Sequence, residues 1–217
     1  MVTFSERVVI LARTLMHNNH VCIGGYSMES KKYVRLLTAD GLNQQNDIPF
    51  QIGEIYQIKY DSKSDVVYPH SEDICVYNFE FLENMKRFEF NQLLNDICIR
   101  DIHIKDIFDG LLDWTTGKGF LLKSQRILPS YSVLIVKLNH DLFLSKTETD
   151  DKQRFYYIDN DGDKKVYYKV PYVGVNDLGE LKKIVAGRNI RFSLARWWDN
   201  DGNFPDERAY LQLSGIF

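Results

Sequence analysis

Short alternating segments, each about the length of one β-strand, recur through most of this chain of 217 residues. In the clearest of them, at 55–61, Tyr56, Ile58 and Tyr60 share one parity, and the two residues between them are polar. Because successive side chains of a strand point to opposite faces, such a segment predicts a half-buried strand. A chain made of many such segments, separated by polar turns, is restricted to small sandwiches or barrels.

The predicted strands fall into two groups. The first group lies at 7–12, 20–26, 32–38, 55–61 and 74–81, and the second at 132–138, 154–159, 164–170, 190–198 and 209–216. Between the groups, residues 90–97 and 104–112 carry apolar side chains at helical spacing, which predicts two amphipathic helices. The sequence therefore predicts a mainly β protein with two OB-like small β-barrels, at 1–88 and 120–217, joined by a helical connector at 89–119. A barrel of the PUA-like type is the alternative.

Composition and charge exclude several classes of protein. The chain is 44% hydrophobic and 26% charged, as is usual for soluble folded proteins, and no apolar run approaches the roughly 20 residues of a membrane span. The N-terminus lacks the layout of a signal peptide, and three well-separated cysteines are typical of reduced thiols. We expect a cytoplasmic protein without membrane contact. Since the net charge is -3, a nucleic-acid site would have to be a local basic patch.

Motifs that would indicate an enzyme or a metal site are incomplete. Thr-Gly-Lys-Gly at 116–119 ends like a phosphate-binding loop, but Leu112 stands where that pattern requires its first glycine. The Asp-rich turns at 159–163 and 199–203 lack the glutamate that completes a calcium loop. Histidine and cysteine do not occur at zinc-ligand spacing. We expect a binding module with no catalytic residues, metal or cofactor; an enzyme without a known motif stays an open alternative.

The segment RFSLARWW, at 191–198, contains two adjacent tryptophans whose faces decide their roles. The apolar residues of this predicted strand share the parity of Trp198, which predicts that Trp198 is a core residue. Trp197 falls on the other parity, beside Arg191, and we expect it to stack on nucleic-acid bases. The alternative is that the helical segment or the following loop covers Trp197.

The ordered landmarks RVVILAR, HVCIGGYS, YVRLLT, IGEIYQIKY, YPHSED, RFSLARWW and AYLQLSGIF resemble the dual OB-domain family of prokaryotic proteins. In that family an aromatic-hydrophobic-Arg strand follows a Cys-hydrophobic-Gly segment, and a Leu-Ser-Leu-like strand of the second barrel reaches a tryptophan. The matching positions here are Cys22, Gly24, Arg35, His70, Ser193, Leu194 and Trp198. Trp197 stands where the family usually has a small residue or proline, and Arg196 where it has an acidic one.

The resemblance implies OB-like barrels that bind nucleic acid, with a single strand as the expected ligand, and a role in prokaryotic antiviral defence or nucleic-acid repair. OB barrels also mediate protein contacts. A protein-interaction subunit of a defence or repair complex is therefore one alternative, and an unrecognised nucleic-acid-processing enzyme is another. The residues that we expect to contact nucleic acid are Arg13, Tyr33, Arg35, His70, Arg191, Arg196 and Trp197.

Overall fold

A computed structural model describes residues 3–63, 65–145, 153–161 and 164–217 of the chain. Contacts along the backbone divide the chain into two compact units, Met1–Asp96 and Ile97–Phe217. Each unit has a hydrophobic core of its own. The division after Asp96 assigns most of the segment expected as a connector to the second unit. No helix in the described part of the chain is long and apolar enough to cross a membrane.

The first unit is a closed barrel. Its strands are β1 (Thr3–Leu15), β2 (His20–Ser27), β3 (Tyr33–Leu37), β4 (Gln44–Gln45), β5 (Glu54–Ser62) and β6 (Asp73–Asn84). The sheet order β1-β5-β6-β3-β2 returns to β1, because β1 pairs with both β5 and β2. The neighbours β3 and β6 are parallel, the other pairs around the barrel are antiparallel, and the short β4 joins β2. This is the connectivity of a five-stranded OB barrel.

Alternation along the strands fills the first barrel. Tyr56, Ile58 and Tyr60 of β5 are buried in its core, as the sequence predicts, and burial of such a side chain contributes about 1.5–3 kcal/mol. Close approach of β1 and β2 requires glycine at Gly25, since a Cβ there would lie 2.4 Å from Val8 Cγ1.

One of the two predicted helices forms. The helix α1 (Arg87–Ile97) has Glu89 in its first turn, where a carboxylate is favoured by the helix dipole, and buries Leu94. The prediction of a second helix at 104–112 is wrong: this segment forms two short 3-10 helices, Ile104–Asp106 and Phe108–Gly110. The backbone turns left-handed at Asp109 (φ 62°), which ends any regular helix. The apolar residues of this segment, Ile104, Ile107, Phe108 and Leu112, instead belong to the core of the second unit.

The second unit is also a barrel. Its strands are β7 (Ile99–Ile102), β8 (Asp113–Thr115), β9 (Lys118–Leu122), β10 (Val133–Leu138), β11 (Leu142–Ser145), β12 (Arg154–Asp161), β13 (Lys164–Pro171), β14 (Lys183–Ile184), β15 (Asn189–Leu194) and β16 (Arg208–Ile216). The sheet order is β14-β11-β12-β13-β9-β16-β15-β10-β7, and β8 pairs with β9. A short turn along the chain joins β10 to β11, which lie near opposite ends of this order.

Within this barrel, β12 and β13 form an antiparallel hairpin, as predicted, although residues 162 and 163 of its turn lie outside the described residues. The short strand β9 is parallel to β13 and antiparallel to β16. A parallel bridge joins Tyr172, which directly follows β13, to Leu213 of β16, so the end of β13 lies beside β16. The prediction of a mainly β fold with two OB-like barrels is therefore confirmed. The strands β4, β7, β8, β9, β11 and β14 were not predicted.

Candidate functional site

A groove on the second barrel combines cations with aromatic rings. It has a cavity volume of about 360 Å³ and lies between the strands β9, β12, β13 and β16 and the loop at 195–207. Its cations are Lys118, Arg154 and Lys169, and its rings are Trp198, Phe204 and Tyr210. The described residues that line the groove include no carboxylate. In a chain whose net charge is -3, this groove is the kind of local basic patch that an anionic ligand requires.

The loop at 195–207 is shaped by its own sequence. Asn200, Asp201 and Gly202 have positive φ angles of 56°, 54° and 81°, a conformation that Asn, Asp and Gly adopt at the least cost. The chain therefore reverses, and two backbone hydrogen bonds of 3.1 and 2.9 Å join Trp198 to Arg208 at the base of the loop. This bridge fixes Trp198 at the groove, where the residue is 46% exposed.

Arg208 holds the aromatic wall of the groove. Its guanidinium carbon lies 4.6 Å from the centre of the Phe120 ring and 4.2 Å from that of the Phe204 ring. A cation placed over aromatic faces is attracted to their negative charge density, so Arg208 binds both rings. The Phe204 ring in turn meets Trp198 edge-on, with the ring centres 5.8 Å apart. Arg208 therefore connects the wall formed by Phe204 and Trp198 to Phe120 of the barrel.

The two adjacent tryptophans have environments opposite to those expected. The prediction that Trp198 is a core residue is wrong, since its side chain is exposed and lines the groove. Trp197, which we expected to face a ligand, is partly buried and packs against the core of the second barrel. Alternation between two faces holds only while a strand continues, and β15 ends at Leu194.

The model of the dual OB-containing domain matches residues 6–216, and so spans both barrels. The chain belongs to this family. The resemblance drawn from the ordered landmarks is thereby confirmed. A search of curated proteins gave no match.

Among solved structures, one similar to this dual OB-containing chain is described as a murine DNA-binding protein bound to double-stranded DNA. The two chains are 12% identical, with a TM-score of 0.35, over 100% of this chain and 94% of that one. A likeness of this degree does not specify what the dual OB-containing chain binds.

Two of the predicted contacts, Arg13 and Tyr33, lie in the first barrel of this dual OB-containing chain. Arg13 is buried, and its Nη1 donates to the carbonyl oxygens of Ile48 and Phe50, each at 2.9 Å. Tyr33 is half-buried, and its ring meets that of Tyr26 edge-on at 5.6 Å. The Arg13 guanidinium is thus used to hold a loop of the barrel.

The structure brings two other predicted contacts together. Arg35 and His70 are both buried, and Arg35 Nη2 lies 3.3 Å from His70 Nδ1. Arg35 Nε is also 3.6 Å from a carboxylate oxygen of Asp73, in a pair whose side chains are 6% and 3% exposed. Their burial leaves little surface on these groups for a phosphate.

The remaining predicted contacts lie in the second barrel. Arg191 is buried, and its Nη1 donates to Ser214 Oγ at 2.6 Å. Arg196 is half-buried, like Trp197. None of these three residues is among those that line the groove. Contact of the seven predicted residues with nucleic acid stays a prediction.

The residues of the groove were not predicted from the sequence, although the sequence contains one signal for them. Along β13, Val166, Tyr168 and Val170 form the inner parity, so Lys169 must point outward beside Tyr167. Lys118 belongs to the Thr-Gly-Lys-Gly segment, whose failure as a phosphate-binding loop does not exclude a cationic role. Pairing of β9 with β13, which sequence does not reveal, makes Lys118 and Lys169 direct neighbours.

A second cluster in this barrel contains two histidines. The His140 ring stacks on Tyr157, with ring centres 3.7 Å apart, and lies 4.8 Å from the His103 ring. The backbone N–H of Ile104 donates to His140 Nε2 at 3.3 Å, and that of Lys105 donates to His103 Nδ1 at 3.1 Å. Each imidazole therefore uses a lone pair to accept a backbone hydrogen bond, which requires that nitrogen to be unprotonated. A nitrogen whose lone pair accepts such a hydrogen bond is unsuited to act as a base in catalysis.

Burial lowers the pKa of both His103 and His140 below the ordinary value of 6.5. For His103 the nearby Asp159 carboxylate, 3.3 Å from Nε2, opposes this effect, and Lys105 adds to it. For His140 the neighbouring His103 adds to the lowering. The carboxylates of Asp106 and Asp141 also face the cluster and favour protonation.

We expect the second barrel to lose stability as the pH falls below 6.5, the ordinary histidine value. In that range the unfolded chain takes up protons on these histidines before the folded chain does, so protonation favours unfolding. Urea midpoints from tryptophan fluorescence should fall between about pH 7.5 and about pH 5.5. In a His103→Asn, His140→Gln variant the fall should be smaller, whereas in His20→Gln, in the first barrel, it should equal that of the wild type. An equal fall in all three proteins would contradict the assignment of this pH dependence to His103 and His140.

Proposed function

We propose that the second barrel binds single-stranded nucleic acid in the groove. The observation that supports this proposal is the joint presence of Lys118, Arg154 and Lys169 with the exposed Trp198 ring in one cleft. Nucleic-acid sites that tolerate many sequences combine a basic path for the backbone with aromatic faces for the bases. The groove has both parts.

The position of the groove on the barrel also supports the proposal. Counting β10 with β11 as the first strand, β12 and β13 are the second and third, and the loop at 195–207 joins the fourth to the fifth. OB barrels that bind oligonucleotides use the face of strands two and three together with this loop. Arg154, Lys169 and Trp198 come from these three elements.

The chemistry favours a single strand over a duplex. A base that stacks on Trp198 must leave the stack of its own neighbours, which a duplex resists and a single strand allows. Cations of the groove then neutralise phosphates and release the counterions bound to them, and this contribution weakens as the salt concentration rises. Aromatic faces stack on any base, because every base has a π-face, so we propose binding with little sequence preference.

A salt series tests the proposal. Fluorescence anisotropy with a labelled oligothymidylate, from about 50 to about 200 mM salt, should give saturable binding whose affinity falls steeply with salt. Lys118→Ala and Lys169→Ala should each reduce the slope of log affinity against log salt by about 0.7, the value for one phosphate contact in a single strand. Lys86→Ala is the matched control, because this lysine is 83% exposed in the first unit. Absence of binding by the wild type at low salt would contradict the proposal.

We further propose that this activity serves prokaryotic antiviral defence or nucleic-acid repair, as the family resemblance suggests. Deletion of the gene should then raise the plating efficiency of phage or the sensitivity to DNA damage. Complementation with Lys118→Ala, Lys169→Ala protein should fail to restore the phenotype. Full complementation by this variant would separate the cellular role from the groove and favour a protein-interaction subunit.

A further inference from the structure

One register row crosses five strands of the second barrel. Directly opposed residues link β14 to β11, β11 to β12, β12 to β13 and β13 to β9. In this order the row consists of Lys183, Phe143, Tyr156, Lys169 and Lys118. Directly opposed residues present their side chains on the same face of a sheet. These five side chains therefore share one face.

That face is the one opposite the core. The sequence neighbours Leu142, Phe155 and Val170 are all buried in the core of the barrel, and side chains alternate along each strand. Phe143 is accordingly 43% exposed. The row begins at the groove, since Lys169 and Lys118 are among its lining residues.

The two aromatic rings in the middle of the row form a platform. The centres of the Phe143 and Tyr156 rings are 6.0 Å apart, with an angle of 39° between their planes. Lys183 Nζ lies 5.9 Å from the centre of the Phe143 ring and pairs with an Asp141 carboxylate oxygen at 2.7 Å. Asp141 thereby holds this lysine beside the platform, at the end of the row far from the groove.

We propose that this register row continues the nucleic-acid site beyond the groove, an inference that rests on the proposed function. A single strand leaving the groove crosses β13, β12 and β11, stacks bases on Tyr156 and Phe143, and brings a phosphate to Lys183. At about 4.8 Å between neighbouring strands, the row spans about 19 Å. Cations at both ends and rings between them match the alternating phosphates and bases of a single strand. An acidic peptide would satisfy the cations but would bring no planar groups to the rings.

The dependence of affinity on oligonucleotide length tests the row. Oligothymidylates from about 4 to about 16 nucleotides cover the site sizes of single OB folds. For the longest of them, Phe143→Ala and Tyr156→Ala should each weaken binding roughly 5- to 150-fold, the usual effect of losing one stacked base. For the shortest, which reach less of the row beyond the groove, the loss in each variant should be smaller. Phe88→Ala is the control, because Phe88 is 76% exposed in the first unit.

The possible outcomes separate a failure of the row from a failure of the proposed function. If long and short oligonucleotides bind both variants as they bind the wild type, the row is not part of the site, while the proposed function stands. If the wild type binds no oligonucleotide, the proposed function fails and the row fails with it. Equal competition by a duplex would overturn the assignment to a single strand. Stronger binding of a poly-glutamate peptide than of oligothymidylate, lost in Phe143→Ala, would assign the row to a protein partner.

Discussion

Arg13→Met is expected to lower the free energy of unfolding of the first barrel by about 3–4 kcal/mol, since hydrogen bonds to a charged group contribute about 1.5–3 kcal/mol each. Nη1 of Arg13 donates to the carbonyl oxygens of Ile48 and Phe50, and Nη2 to the carbonyl and side-chain oxygens of Asn46. Methionine replaces the apolar stem of the side chain but leaves these acceptors without their donor. The loop at 46–50 would then lose its attachment to β1.

Separate optical signals for the two units make this loss of stability in the first barrel measurable. All tryptophans of the chain, Trp114, Trp197 and Trp198, lie in the second unit, so their fluorescence reports unfolding there, whereas circular dichroism reports both units. In urea, Arg13→Met should move the dichroism transition of the first barrel and leave the fluorescence midpoint in place.

Arg7→Met is the matched control for Arg13. Both arginines lie on β1, but the Arg7 side chain is 57% exposed and pairs with Glu29 on the surface. Such pairs contribute about 1 kcal/mol or less. A shift of the dichroism midpoint that is as small for Arg13→Met as for Arg7→Met would show that the buried hydrogen bonds add little. That result would favour the prediction that Arg13 contacts nucleic acid.

Local alternation is the part of this fold that sequence predicts well. The inward parity of β5 and of β13 follows from single strands, because the core determines which side chains are apolar. The hairpin of β12 and β13 follows too, since turn residues and strands are contiguous in the chain. These features need no knowledge of which distant strands pair.

Features that depend on where a strand ends, or on which distant strands pair, could not be predicted from the sequence. The apolar spacing at 104–112 equals that of a helix, but it arises from two turns that each bury one side on the core. The groove depends on β9 lying beside β13, a pairing of short strands far apart in sequence. The face of a residue beyond the end of a strand is set by the loop, as with Trp197 and Trp198.

Trp197→Ala should destabilise the second barrel by about 2–3 kcal/mol, somewhat less than the roughly 3–5 kcal/mol of a fully buried aromatic, because its side chain is partly buried against the core. Trp198→Ala should change the urea midpoint little, since this side chain is 46% exposed. The fluorescence of Trp114 remains as the reporter in both variants. Simple alternation through residue 198 predicts the opposite order, so the two midpoints decide between a strand that ends at Leu194 and one that continues.

Binding should separate the same two variants in the reverse direction. In folded protein, Trp198→Ala should weaken affinity for oligothymidylate by about 1–3 kcal/mol through the loss of one stacked base, and Trp198→Phe, which keeps a ring, should recover part of it. Trp197→Ala, assayed without urea where the barrel is still folded, should bind nearly as the wild type does, because the groove does not include Trp197. If Trp197→Ala weakens binding and Trp198→Ala does not, the loop at 195–207 presents the other ring to the ligand. The groove would then not be the site at which bases stack.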